Sequence, residues 1–490
     1  MSRSGSAGRG LPDPASRISR GRGAGLAVLL FTAFVVVGDV GAAAASAATA
    51  PSPPAAYVQK AACVSQGVPP TTVQNGVSWA QRLLLYTEAW RFTRGGGVKV
   101  AVIDTGVNPG PAFGDRLSGL ADLVATGGTA GTAGTAGTGG TGGTASAPGL
   151  DDCDGHGTLV AGLIAGSPDP KSGFSGVAPD ATLLSIRQSS ERYALRDDTN
   201  SSDAPGAGTP ASLGSAIRYA VAHGAQVINI SEADCGPAGT VDSPELSSAV
   251  QAAVAANVVI VVSAGNLDSS ADCSHQNTPG KPAVTAATPA DLPGVLAVGA
   301  IAQDGSAAAF SIAGPWVGIA GPGTEITSTN PFRGGAGQVD QITTQAGTGS
   351  IQGTSFSAPY VAGVAALVRA RFPDLTAAQV IHRLEATASH PAAPRGRNDA
   401  VGYGMVNPVA AVTAVLPEEA GVVAPPSRAT SLPARATPEQ SDHARQTALW
   451  GSLITLTALV ALAVVAQTRR SRLRRAATHD RAANPSPARS

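Results

Sequence analysis

Four polar residues stand in local surroundings that suit them for joint work: Asp104 in Ile103-Asp104-Thr105-Gly106, His156 in Asp154-Gly155-His156-Gly157-Thr158, Asn266 in Ser263-Ala264-Gly265-Asn266, and Ser355 in Gly353-Thr354-Ser355-Phe356-Ser357-Ala358-Pro359. A serine hydroxyl is a poor nucleophile at neutral pH until a base takes its proton. Histidine can be that base, and a carboxylate can hold the imidazole in the useful tautomer and stabilise its charged form. An asparagine amide can donate a hydrogen bond to the oxyanion that develops on an attacked carbonyl, a contribution of about 3 to 4 kcal/mol. The chemistry is nucleophilic acyl transfer. Singly, each residue has a plainer use as a turn aspartate, a structural histidine or a helix-capping serine. The conjunction of four complementary groups carries the reading.

Such groups need a rigid scaffold. Val98 to Ile103 reads as a strand, followed by apolar runs at Leu183 to Ile186, Val227 to Ile230, Val258 to Val262, Val295 to Val298 and Val317 to Ala320. Helical periodicity falls at His156 to Ala165, Ser212 to His223, Leu246 to Ala256, Phe356 to Arg371 and Thr376 to Ala386. Near-continuous apolar strands alternating with helices predict one α/β domain over residues 91–415, a parallel sheet covered on both faces. In open sheets of this kind, reactive side chains gather at the carboxyl ends of strands. Asp104 ends the first strand. Ser355 falls at a helix N-terminus, where the dipole favours negative charge and Pro359 is tolerated in or near the first turn.

The 490 residues include 33 Lys+Arg and 33 Asp+Glu, with 13% charged and 43% hydrophobic, which excludes a wholly disordered chain. Residues 91–415 hold 16 basic and 25 acidic side chains, a balance of −9 that argues against a nucleic-acid partner. The 60 glycines and 36 prolines are unevenly spread. Thr126 to Pro148, a Gly/Thr/Ala tract, and the polar Gln188 to Pro210 read as flexible insertions, and residues 416–447 as a flexible linker.

The termini set the compartment. Arg17, Arg20 and Arg22 precede the apolar run Leu26 to Val37 and a small-residue stretch ending at Ala50, so residues 1–50 read as a secretory signal peptide; the run is short for an uncleaved anchor helix. Residues 448–467 lack any charge, are long enough for a transmembrane helix and precede a cluster of arginines in residues 468–490. Positive residues stay cytoplasmic, which predicts a single-pass cell-membrane protein with its catalytic domain extracytoplasmic and its C-terminus cytoplasmic. Residues 51–90 form an N-terminal extension with a helix-like segment from Trp79 to Trp90. Four cysteines, Cys63, Cys153, Cys235 and Cys273, suit an oxidising compartment and allow three pairings. No metal or other cofactor is expected, since close Cys/His spacing is lacking. Asp151, Asp152 and Asp154 either bind a cation, raise the imidazole pKa or, the simplest expectation, lie on an exposed loop.

The four motif strings resemble those of the subtilisin-like serine proteases over about 325 residues. The resemblance implies a three-layer α/β fold with a central, mostly parallel sheet flanked by helices. It implies the roles of nucleophile, base, orienting acid and oxyanion donor for Ser355, His156, Asp104 and Asn266. It further implies a substrate cleft walled by Ser231, Glu232, Ala233, Asp234 and Gly265, pairing with an extended peptide. Many subtilases carry small residues where this chain has Glu232 and Asp234, so the two acids are either selectivity groups or solvated loop charges. A narrower resemblance, in the signal peptide, the C-terminal anchor, Asp152-Cys153-Asp154-Gly155-His156 and Ile228 through Cys235, is to the mycosins, membrane-anchored subtilases of type VII secretion. It implies pairing of Cys63 with Cys153 and of Cys235 with Cys273, and an extension that wraps the catalytic domain. The function expected is an exported, membrane-anchored serine endopeptidase cleaving extended segments of secreted proteins beside a type VII secretion complex. The alternative is mainly structural stabilisation of that complex.

Overall fold

A computed structural model describes residues 57–64, 66–69, 77–124, 147–198, 204–240, 243–267, 273–344, 347–420, 459 and 461–470. The expected signal peptide lies outside these residues, as do most of the Gly/Thr tract, the linker, the expected membrane span and the basic tail. Among the described residues no helix is long and apolar enough to cross a membrane.

Seven strands form the central sheet: β1 (Lys99–Asp104), β2 (Leu117–Asp122), β3 (Thr182–Arg187), β4 (Val227–Ile230), β5 (Val259–Ser263), β6 (Leu296–Ile301) and β7 (Val317–Pro322). Their order is β7-β6-β5-β4-β1-β3-β2 and every pairing is parallel. β1 therefore lies inside the sheet, between β4 and β3. Side chains alternate across a strand, so a strand buried on both sides must be apolar throughout. Val100 and Val102 of β1 join one hydrophobic cluster, and Ala101 and Ile103 join the other. Helices α1 (His156–Ala165), α4 (Thr354–Arg371) and α5 (Ala377–Ala386) supply Leu159, Leu163, Val361, Val364, Val380 and Leu384 to the first cluster. Helices α2 (Pro210–Ala222) and α3 (Pro244–Ala255) supply Leu213, Ile217, Leu246 and Val250 to the second. α4 is buried almost all round, as expected of a helix without a polar face.

Three departures from the sequence reading have physical causes. β2 escapes its hydrophobic pattern because it is a part-exposed edge strand with a register shift between Gly119 and Ala121. The segment from Trp79 to Trp90 is two short helices, Trp79–Leu84 and Tyr86–Ala89, broken where Leu85 adopts φ +50°. The break lets Leu84, Tyr86 and Ala89 all reach the core, and Tyr86 donates to the Ser175 carbonyl at 2.8 Å. Residues 188–198 and 204–210 pack into the domain, against the expectation of a flexible insertion. Tyr193–Leu195 pairs antiparallel with Tyr57–Gln59 of the extension, and Ser190 bridges Ala207. A polar stretch that could not bury itself alone acquires a ladder partner from a distant part of the chain. The extension gains a second hold where Gln66–Val68 adds to the hairpin formed by Gln341–Thr344 and Gly347–Ser350.

Candidate active site

Asp104 is the last residue of β1 and is wholly buried. Its Oδ1 accepts hydrogen bonds from the Thr105 N–H at 2.8 Å and lies 2.7 Å from His156 Nδ1. His156 is the first residue of α1, and the approach of α1 to the strand end depends on a missing side chain. A Cβ on Gly157 would lie 2.1 Å from the Gly106 carbonyl oxygen. The imidazole packs on Phe356, with ring centroids 4.9 Å apart, so it stands beside the residue that follows Ser355.

Asp152 joins these two elements. It is buried, against the expectation of an exposed acidic loop. Thr105 Oγ1 and the Gly155 N–H donate to its Oδ1, each at 2.8 Å, while the Thr158 N–H and Oγ1 donate to its Oδ2 at 2.8 and 2.6 Å. The carboxylate thus ties the turn after β1 to the first turn of α1. Burial pushes its pKa up to about 7, with the Thr158 and Thr105 hydrogen bonds opposing. Of the other two acids, Asp151 is exposed and Asp154 is half-buried.

Ser355 is the second residue of α4 and is 8% exposed. Pro359 falls deeper in the helix than the first turn, and its missing N–H leaves the Ser355 carbonyl, four residues earlier, without the usual helical donor. The Ser231 hydroxyl supplies the bond at 2.7 Å, and Asn229 Nδ2 in turn donates to Ser231 Oγ at 2.9 Å. A side chain expected only in the cleft wall therefore also secures the start of α4. Asn266 is oriented by its Oδ1, which accepts from the Thr354 N–H at 2.9 Å and the Thr354 hydroxyl at 3.0 Å. Gly353 has φ +144°; a Cβ there would lie 2.9 Å from Ser355 Oγ and 3.5 Å from Asn266 Nδ2. The hydroxyl and the amide donor therefore border one small space, kept open by the glycine.

His156, Asn266 and Ser355 line a single cleft of about 510 Å³ together with Ser231, Glu232, Ala233 and Gly265. Asp234 does not line it. That residue is exposed and opens the strand Asp234–Pro237, which pairs with Thr285–Thr288, and strand alternation turns it away from the side on which Cys235 borders the cleft. The sequence reading missed Glu191 and Arg192, which also line the cleft, because they belong to the segment read as flexible. Glu232 Oε1 is 3.9 Å from His156 Nδ1. Burial of the imidazole disfavours its charged form, but Asp104, Glu232 and Asp152 outweigh that and hold its pKa above the ordinary histidine range. Asp104, His156 and Glu232 place ligand atoms within 4.8 Å of one another. With Nδ1 engaged by Asp104, the arrangement is that of an oriented imidazole, not of an open metal site. Disulfides join Cys63 to Cys153, three residues before His156, and Cys235 to Cys273.

The chain matches the subtilase family over residues 95–404. It is 41% identical over 434 residues to Mycosin-4 of Mycobacterium tuberculosis, covering 86% of this chain and 88% of that protein. Among solved structures it resembles the MycP3 protease from the type VII (ESX-3) secretion system, at 40% identity and a TM-score of 0.64 over 75% of this chain and 98% of that one. It also resembles a chain of an intact ESX-5 inner membrane complex, at 37% identity and a TM-score of 0.65 over 85% and 96% of the two chains. The chain belongs to the subtilase family of serine proteases, and within it to the mycosins.

Proposed function

We propose that this serine protease is an endopeptidase that cleaves extended segments of secreted proteins, working from the outer side of a membrane as part of a type VII secretion complex. The observation that carries the reading is the 2.7 Å contact of Asp104 with His156 in a cleft that Ser355 also lines. Asp104 holds the Nδ1 proton, so Nε2 is free to take the hydroxyl proton as Ser355 Oγ attacks the scissile carbonyl. The oxyanion that forms accepts from Asn266 Nδ2 at the positive end of α4. His156 then returns its proton to the leaving amine, and water completes the cycle through the same base. Ser231, Glu232, Ala233 and Gly265 are the wall against which the peptide lies.

The organisation proposed with this function is a signal peptide over residues 1–50, an extension over 51–90, the catalytic domain over 91–415, a linker over 416–447, a membrane helix over 448–467 and a cytoplasmic tail over 468–490. Among the described residues no cleft-lining residue comes from the extension, which supports its being a retained structural part instead of an occupant of the cleft. Labelling with a serine-directed fluorophosphonate is the test: the wild-type protein is expected to react and Ser355→Ala to lose the label, and equal labelling of both would overturn the assignment. Resemblance to a chain of an inner membrane complex favours a second role, stabilisation of such a complex. Full restoration of secretion by Ser355→Ala in a deletion strain would make that role the principal one.

A further inference from the structure

We propose that the cleft selects peptides bearing an arginine or lysine side chain close to the scissile bond, seated between Glu232 and Glu191; this rests on the peptidase reading above. Both glutamates line the cleft that holds His156 and Ser355. They arrive from different parts of the chain. Glu232 follows β4, whereas Glu191 lies in the segment after β3 that the extension holds in place: the Lys60 N–H donates to the Arg192 carbonyl at 2.8 Å, and Tyr57–Gln59 pairs with Tyr193–Leu195.

The charges of the cleft do not cancel. Asp154 also borders it, but its carboxylate accepts from the Ser190 hydroxyl and the Glu191 N–H and has Arg192 Nε at 3.8 Å. With Arg192 turned to Asp154, neither Glu191 nor Glu232 has an arginine or lysine partner among the described residues. The cationic form of His156 is the nearest counter-ion to Glu232, and its Nδ1 is already bonded to Asp104. Burial, then Asp104, then Glu191 and Asp154 all push Glu232 toward its neutral form, against His156. A carboxylate crowded by other carboxylates is relieved by an incoming cation, and a guanidinium or ammonium carries one with several donors. The glutamate side chain is 36% exposed, so a ligand can reach it.

The test uses short peptides identical except for arginine or norleucine at one position, scanned along the peptide. Cleavage is measured as kcat/KM with the full-length protein in detergent, and binding as Kd with the Ser355→Ala protein. Arginine at one position is expected to be preferred about tenfold or more in both measurements, about 1.4 kcal/mol. Glu232→Gln should reduce that preference to below about threefold, Glu191→Gln should reduce it in part, and salt near about 0.5 M should weaken it. A preference unchanged in both glutamine variants, or norleucine bound and cleaved as well as arginine at every position, overturns the inference. Glutamate-dependent arginine selectivity in binding without any cleavage by the wild-type protein would uphold it and overturn the peptidase reading instead.

Discussion

Ser355 sits where four local constraints meet. Gly353 keeps the space before its hydroxyl clear, Phe356 packs on the imidazole, Ser231 bonds to its carbonyl, and Thr354 aims Asn266. None of these contacts involves a long flexible side chain, which is how a reactive group is held within a fraction of an ångström. The electrostatics of the pair beside it lead to a pH prediction. Asp104 raises the imidazole pKa, and the proposed mechanism needs neutral imidazole, so the acid limb of the kcat/KM profile should lie above the ordinary histidine range. Asp104→Asn removes the negative charge, which must move that limb to lower pH. It also permits the wrong tautomer, so kcat should fall about ten-thousandfold. A profile that keeps its acid limb in the variant would show that another group sets it. The types and local strings of Asp104, His156, Asn266 and Ser355 were legible in the sequence. Asp152 was not, because an acid among acids next to a histidine reads as solvent-facing until its four hydrogen-bond donors are in place.

At the scale of elements, the extension is built into the domain at several points. It forms ladders with two separate segments and a disulfide to the turn that leads into His156. A cross-link closing a loop of 90 residues constrains the unfolded chain strongly, by about 4 to 5 kcal/mol in the chain-entropy account. Replacing Cys63 and Cys153 together by alanine should lower stability by several kcal/mol, about 2 to 5, and the melting temperature with it. Thermal unfolding of the two proteins without reductant checks this; coincident melting curves would mean that the strap adds nothing. The six apolar strands and five helices read from periodicity are present with small shifts at their ends, because burial on both faces leaves a continuous apolar run. Two of the strands that periodicity missed are stabilised at one edge only. β2 lies partly in solvent, and Tyr193–Leu195 exists as a strand through its pairing with the extension.

For the whole molecule, the parallel sheet divides two hydrophobic clusters and brings the candidate residues to one end. Asp104 ends β1, the wall at Ser231 follows β4 and Asn266 follows β5. Two helices on one face, α1 and α4, place His156 and Ser355 at their N-terminal ends near that edge, where the carboxyl ends of the parallel strands also lie. The proposed anchor lies beyond this domain. A chain ending after Ala420 should therefore appear in the soluble fraction of exporting cells and still take the fluorophosphonate label. The full-length chain should sediment with membranes, and sedimentation of both proteins would place the anchor elsewhere.

Composition and periodicity determined that an α/β domain would form, because apolar side chains must leave water wherever the chain crosses the core. The motif strings determined which side chains are chemically equipped to act. What folding alone decided is the set of partnerships among residues far apart in the chain: Ser231 with the carbonyl orphaned by Pro359, Asp152 with the turns on either side of it, and Glu191 with Glu232 across one cleft. Hydrogen bonds and Coulomb forces act over a few ångströms of space, and separation along the chain does not reveal which groups will come that close.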